Sequence, residues 1–188
     1  LIDNLEVYSE PVVIKEDDTE LYLLPFVNRG DKKLLTVDEF NAYQNKVIDE
    51  FNERSKKSKA DYKLFFGHFG TDKSVIGNSF DLSMSEDDEN KVTLSRLREG
   101  DWTKVYLGHI HKQQEFDDII RHVGSLSRVD FTESEENKGF YYYKNGKDKF
   151  IEVEDREFKT FYLSLAENHK IEIKDFMEKV EQINLKKA

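Results

Sequence analysis

An apolar run, Val105-Tyr106-Leu107, ends in Gly108-His109-Ile110-His111-Lys112. Apolar residues followed by a glycine predict a buried strand that ends at the edge of a sheet. Side chains two apart on a strand point to the same face, so we expect His109 and His111 to reach one point in space. Two imidazoles aimed at one point are typical of a metal centre.

A second apolar run has a similar ending. Lys63-Leu64-Phe65-Phe66 leads into Gly67-His68-Phe69-Gly70, which places a third histidine between glycines at a strand end. Three histidines at two strand ends would form half of a two-metal site, in which ions roughly 3.5–4 Å apart promote hydrolysis of a phosphate ester. The candidate metal ligands are therefore His68, His109 and His111.

The carboxylates of such a site are not found in the sequence. Divalent ions of this kind need oxygen ligands as well as imidazole. The chain has no Asp-x-His strand end, no Gly-Asp bridging motif after a strand and no Gly-Asn-His-Asp. No catalytic residue is therefore predicted within it. For His68 taken alone, and for His122 and His169, a surface or hydrogen-bonded role is the simpler interpretation.

Composition limits the class of protein. The 188 residues suffice for one domain with a sizeable core, contain no cysteine and carry a net charge of −10. No apolar run approaches the roughly 20 residues of a membrane helix, so no membrane partner is predicted and the cytoplasm is the expected compartment. The acidic balance disfavours nucleic-acid binding without excluding a local basic groove. The acidic runs at 86–89 and 133–136 are interpreted as solvated surface loops.

Periodicity divides the chain into strands and helices. Thr36-Val37-Asp38-Glu39 is a capping-box pattern that predicts the start of an amphipathic helix, and Asn145-Gly146 predicts a hairpin turn. Short and C-terminal helices are predicted at 92–98 and from about residue 172. The predicted strands are 5–14, 20–27, 62–66, 105–107, 119–123, 139–143, 149–153 and 158–163. Strands mixed with helices favour a layered α/β or α+β fold.

In their order along the chain, these motifs resemble the later part of SbcD-type DNA-repair nucleases, which are calcineurin-like metallophosphoesterases. Gly-His-x-His alone indicates only a metallophosphoesterase. The resemblance extends over roughly residues 5–160 and includes Phe66-Gly67-His68. It is narrowed to SbcD, or to a phage-encoded relative, by three motifs: Leu107-Gly108-His109-Ile110-His111-Lys112, Gly124-Ser125-Leu126 and Lys138-Gly139-Phe140.

The resemblance implies part of a four-layer α/β/β/α sandwich with two packed mixed sheets. Residues 1–150 would be the C-terminal half of the nuclease domain, and 151–188 the start of a capping, DNA-binding domain. The implied cofactors are two divalent metal ions, most simply Mn. His68 and His109 would bind one ion and His111 the other, with a structural hairpin at 124–128 beside them.

The same resemblance implies partners and an activity for the intact protein. It implies a metal-dependent DNA exonuclease or endonuclease that works with an SbcC-type ATPase and forms a homodimer. Because the family's other ligands would lie upstream, this portion is expected to be inactive by itself. A phosphoesterase acting on small phosphoesters or nucleotides is one alternative. A non-catalytic interaction module, in which the histidines serve only packing, is the other.

Overall fold

A computed structural model describes residues 6–27, 36–75 and 92–158, and six of its strands form one mixed sheet. The strands and helices are β1 (Val12–Glu16), β2 (Thr19–Leu24), α1 (Val37–Lys57), β3 (Tyr62–His68), α2 (Leu94–Leu97), β4 (Lys104–Gly108), β5 (Gln114–Glu115), β6 (Ile120–His122), a 3₁₀ helix (Phe131–Glu133), β7 (Gly139–Lys144) and β8 (Lys147–Glu152). The order across the sheet is β1-β2-β3-β4-β6-β5, with β2, β3, β4 and β6 parallel.

The predicted α/β class is confirmed by this mixed sheet and its helices. The remaining two strands, β7 and β8, form a separate antiparallel pair. The described residues thus contain one six-stranded sheet and one separate two-stranded sheet. The expected four-layer sandwich stays a prediction.

The first two strands form the predicted antiparallel hairpin, with shorter strands than expected. Pro11 has no N–H to give to a neighbouring strand, and pairing accordingly begins at Val12. Pro25 ends β2 in the same way. The strand predicted at 5–14 is therefore wrong over residues 6–11, where the apolar alternation precedes a proline that cannot pair.

Helix α1 begins where the capping box predicts. The Thr36 side chain accepts a hydrogen bond from the Glu39 N–H, and the Glu39 carboxylate accepts one from the Thr36 N–H. Such a cap contributes about 1 kcal/mol to the helix. Val47, Ile48 and Phe51 are buried on the predicted apolar face. The amphipathic helix that the sequence predicted is confirmed.

The core lies between α1 and one face of the sheet. Tyr22, Phe65, Val105 and Ile120 lie side by side across the four parallel strands, and all are buried. Trp102 meets Tyr22 edge-on, with ring centroids 4.9 Å apart. Each such side chain contributes roughly 1.5–3 kcal/mol when it leaves water. This layer fixes the positions of the strand ends that carry the histidines.

Asp148 attaches the β7–β8 hairpin to the opposite face of the sheet. Its carboxylate accepts from Lys104 at 3.0 Å, from Arg121 at 2.9 Å and from the Tyr106 hydroxyl at 3.0 Å. The turn has the predicted Asn145-Gly146 sequence, and both residues have positive φ, as a tight hairpin turn requires. Between hairpin and sheet lies an apolar cavity of about 570 Å³.

Several predictions fall on residues that the structure does not describe. The C-terminal helix, His169, the acidic run at 86–89 and all but the first residue of the 158–163 strand lie outside the described ranges. The predicted domain boundary between residues 150 and 151 also stays a prediction. Within the described ranges, none of the helices combines the length and apolar character needed to cross a membrane.

Candidate metal centre

His68 and His109 meet at the carboxyl ends of two neighbouring parallel strands. β3 and β4 pair in register so that His68, the last residue of β3, lies opposite Gly108, the last residue of β4. The imidazole rings of His68 and His109 are then 5.3 Å apart, centroid to centroid, and meet edge to face. Ligands of α/β sheets bind at this edge, where the strands end.

The glycine before His109 is required by this close approach. A Cβ atom on Gly108 would lie 2.8 Å from Nδ1 of His68, which is too close for any real side chain. His109 itself has φ of 81°, a left-handed conformation that non-glycine residues rarely adopt. Strained residues of this kind concentrate at functional sites. The Gly-His pair thus turns the chain sharply at the end of β4 and brings His109 to His68.

The sequence predicted that His109 and His111 reach one point because they lie two residues apart on one strand. This reasoning is wrong. β4 ends at Gly108, and the left-handed turn at His109 breaks the two-residue alternation. The His109 ring meets the His68 ring from the neighbouring strand, while the His111 ring bonds to Glu133. The division of the three ligands between two ions, which the family resemblance implied, stays a prediction.

His111 is held by a carboxylate that the sequence did not reveal. Its Nδ1 lies 2.9 Å from Oε1 of Glu133, a residue of the 3₁₀ helix. Glu133 is completely buried. The interpretation of 133–136 as a solvated acidic run is therefore wrong for Glu133, because this carboxylate is directed inward to bind other side chains. Nothing in the local pattern distinguishes it from its exposed neighbour Glu135.

A buried lysine balances the Glu133 charge. Lys138 Nζ lies 2.8 Å from Oε2 of Glu133 and 2.8 Å from Oε2 of Glu136, and its side chain is almost wholly inaccessible. The same ammonium donates to the His111 carbonyl at 3.2 Å and to the Ser125 hydroxyl at 2.9 Å. Lys138 therefore contacts both the backbone of His111 and the carboxylate that holds its ring.

Gly124 and Ser125 complete the support of His111. The Ser125 N–H donates to the His111 carbonyl at 2.9 Å. Gly124 has φ of 77°, and a Cβ there would come within 3.0 Å of the same carbonyl. The segment 124–128 is a loop without strands, so the expected hairpin is wrong at this point. The loop supports the His111 backbone through its own main chain.

His122 is buried beneath the site and serves as an internal connection. Its Nδ1 lies 3.2 Å from the Gly108 carbonyl, and its Nε2 lies 2.7 Å from the Ser74 hydroxyl. It thereby links the end of β4 to the loop that follows β3. The sequence predicted a surface or hydrogen-bonded role for this histidine, and the structure shows the hydrogen-bonded one in a buried position. Burial lowers its pKa to about 4, despite bonds that favour the charged form.

The electrostatics of the site follow from these contacts. Partial burial lowers the pKa of His68, and the neighbouring His109 and His111 lower it further. Burial alone would raise the pKa of Glu133, but bonds from Lys138, His111 and the Val129 N–H lower it below its ordinary value. The carboxylate of Glu133 is thus a charged acceptor at neutral pH.

The geometry fits part of a metal centre. Two imidazoles approach each other at a sheet edge, and a third has its Nδ1 bonded to a carboxylate, as metal-binding histidines commonly do. Across the described ranges, no three His, Asp or Glu side chains converge as a complete ligand set. The predicted ligands His68, His109 and His111 therefore stay predictions, with the His68 and His109 rings in contact and the His111 ring bonded to Glu133.

The described residues define a mixed α/β protein that carries a histidine pair at the carboxyl edge of its parallel strands. Neither a protein-family model nor a curated protein matches the chain.

Proposed function

We propose that this chain is the histidine-bearing portion of a metal-dependent phosphodiesterase of the SbcD type, acting on DNA. The observation that carries the proposal is the meeting of His68 and His109 at the ends of adjacent strands. His68 and His109 would hold one divalent ion, most simply Mn, and His111 a second. When bound, such a pair supplies Lewis-acid polarisation of the phosphate and an activated water.

One face of the sheet supports the proposed four-layer fold. The sheet face opposite α1 carries Leu64, Phe66 and Tyr106, and the hairpin leaves an apolar cavity over it. A face of this character favours a further packed layer, as in a four-layer sandwich. The carboxylate ligands would come from residues outside this chain, which belongs by this proposal to a cytoplasmic nuclease subunit. That subunit would dimerise and associate with an SbcC-type ATPase.

Mn²⁺ alone tests the site directly. We expect Mn²⁺ to broaden the ring proton signals of His68 and His109 in the NMR spectrum of the chain. His68→Ala should weaken Mn²⁺ binding at least about tenfold, since loss of even an outer partner of a ligand costs tenfold or more. Measurement in excess Ca²⁺ is the control, because an acidic surface binds Ca²⁺ whereas imidazoles do not prefer it. Broadening that Ca²⁺ abolishes, or that needs no more Mn²⁺ in His68→Ala than in the unmodified chain, would refute the assignment.

A cleavage assay separates the proposed nuclease from its nearest alternative. The protein should be assayed with the upstream carboxylate motifs joined to this chain, on DNA and on a small phosphodiester. We expect Mn²⁺-dependent cleavage of DNA that falls about tenfold or more in His111→Ala. Gln113→Ala, which alters a partly exposed neighbour of His111, is the control and should cleave normally. Preference for the small ester would favour a small-molecule phosphoesterase, which the net charge of −10 also suits.

A further inference from the structure

Glu133 and Lys138 form a buried ion pair in which both residues contact His111. Glu133 bonds to the His111 ring through Oε1, while Oε2 accepts from Lys138 and, at 3.1 Å, from the Val129 N–H. Lys138 bonds in turn to the His111 carbonyl. Burying a glutamate and a lysine is costly, and in some proteins such buried pairs serve conformational specificity rather than stability.

The direction of the His111–Glu133 bond follows from the chemistry of its partners. A carboxylate that accepts from an ammonium and from a backbone N–H has only acceptor sites to offer. The proton in the bond to His111 therefore belongs to Nδ1 of the imidazole. A neutral ring with its proton on Nδ1 carries its lone pair on Nε2, which makes Nε2 the nitrogen able to bind a cation.

We infer that Glu133 is a positioning residue that holds His111 in the Nδ1–H form and presents Nε2 to a divalent cation, with Lys138 holding Glu133 in place. This inference rests on the proposed function for its ligand. Its structural half, the tautomer and ring orientation of His111, stands without any metal. Lys138 and the Gly124-Ser125 pair then share one role, because both lie against the His111 carbonyl.

The tautomer of His111 is the decisive measurement. In the ¹⁵N NMR spectrum of the unmodified chain, recorded at a pH where the His111 ring is neutral, we expect its proton on Nδ1 and none on Nε2. The double variant Glu133→Leu/Lys138→Met removes both charges together, so that neither is left buried alone. In it, His111 should shift towards the Nε2–H form. A proton on Nε2 in the unmodified chain, or a tautomer unchanged in the folded double variant, would overturn the inference.

Glu136→Gln is the matched control. Glu136 also bonds Lys138 at 2.8 Å, yet among its described contacts it does not bond the His111 ring. We expect this variant to keep the Nδ1–H form, and a shift equal to that of the double variant would mean that any disturbance of Lys138 suffices. The unmodified spectrum remains decisive even if the double variant fails to fold.

Addition of Mn²⁺ to the same samples separates the inference from the function on which it rests. We expect broadening at His111 to require about tenfold more Mn²⁺ in the double variant, while broadening at His68 and His109 stays unchanged. If Mn²⁺ affects none of the three rings but the tautomer behaves as described, the proposed function fails and the positioning role of Glu133 survives. If Mn²⁺ binds His68 and His109 but His111 carries its proton on Nε2, the inference fails alone.

Discussion

Replacing Lys138 with methionine should lower the free energy of unfolding by about 3–5 kcal/mol, the cost of leaving a buried charge without its partner. Methionine fills the same space, so the loss comes from charge rather than volume. Glu133 is completely buried and, among the described residues, would keep the His111 ring and one backbone N–H as carboxylate partners. Urea denaturation followed by tryptophan fluorescence measures this, since Trp102 lies in the core.

Two further variants show whether the loss has this cause. Glu133→Leu/Lys138→Met removes the stranded carboxylate and should regain most of the stability lost in Lys138→Met. Lys56→Met removes an exposed ion pair with Glu53 and should change stability by less than about 1 kcal/mol. Equal losses in Lys138→Met and the double variant would indicate a packing defect and contradict the electrostatic explanation.

The second large effect is a loss of stability in mild acid that depends on His122. Its pKa is about 4 in the folded chain and about 6.5 in the unfolded chain, so below pH 6.5 the unfolded state binds more protons. His122 therefore contributes its full stability above pH 6.5 and loses it as the pH falls towards 4. A difference of this size corresponds to roughly 3 kcal/mol.

A variant without the titrating ring isolates this contribution. Glutamine at position 122 has both a donor and an acceptor for the Gly108 carbonyl and the Ser74 hydroxyl. We expect His122→Gln to be less stable than the unmodified chain at pH 7 and to match or exceed its stability by pH 4. The titration of carboxylates affects the stability of both proteins alike, so the difference between them isolates His122. Parallel stability curves between pH 7 and pH 4 would show that His122 titrates normally. The comparison uses urea denaturation at each pH.

The parts of the fold that sequence predicted well are those governed by local chemistry. The capping box at Thr36 and the Asn145-Gly146 turn each involve neighbouring residues, and both occur where predicted. The β3 and β4 strands were likewise indicated by short apolar runs, although β3 continues two residues further, to His68. Local patterns locate elements because hydrogen bonding within a turn or cap is decided within a few residues.

The site was harder to predict because its contacts depend on how the strands are arranged. His68 approaches His109 only because β3 and β4 are parallel neighbours in one register. The turn at His109 could not be foreseen from an alternation rule, which assumes that the strand continues. Glu133 was misinterpreted because an acidic run usually lies in solvent, and its buried partner Lys138 resembles any surface lysine in the sequence.

The register between β3 and β4 makes chain length as important to this site as residue identity. A shift of one residue along a strand moves each side chain to the other face of the sheet. One inserted residue in β3 would carry the His68 imidazole to the side covered by α1 and leave a different residue opposite Gly108. During divergence, insertions and deletions should therefore accumulate in the connections between strands, while the lengths of β3 and β4 stay fixed.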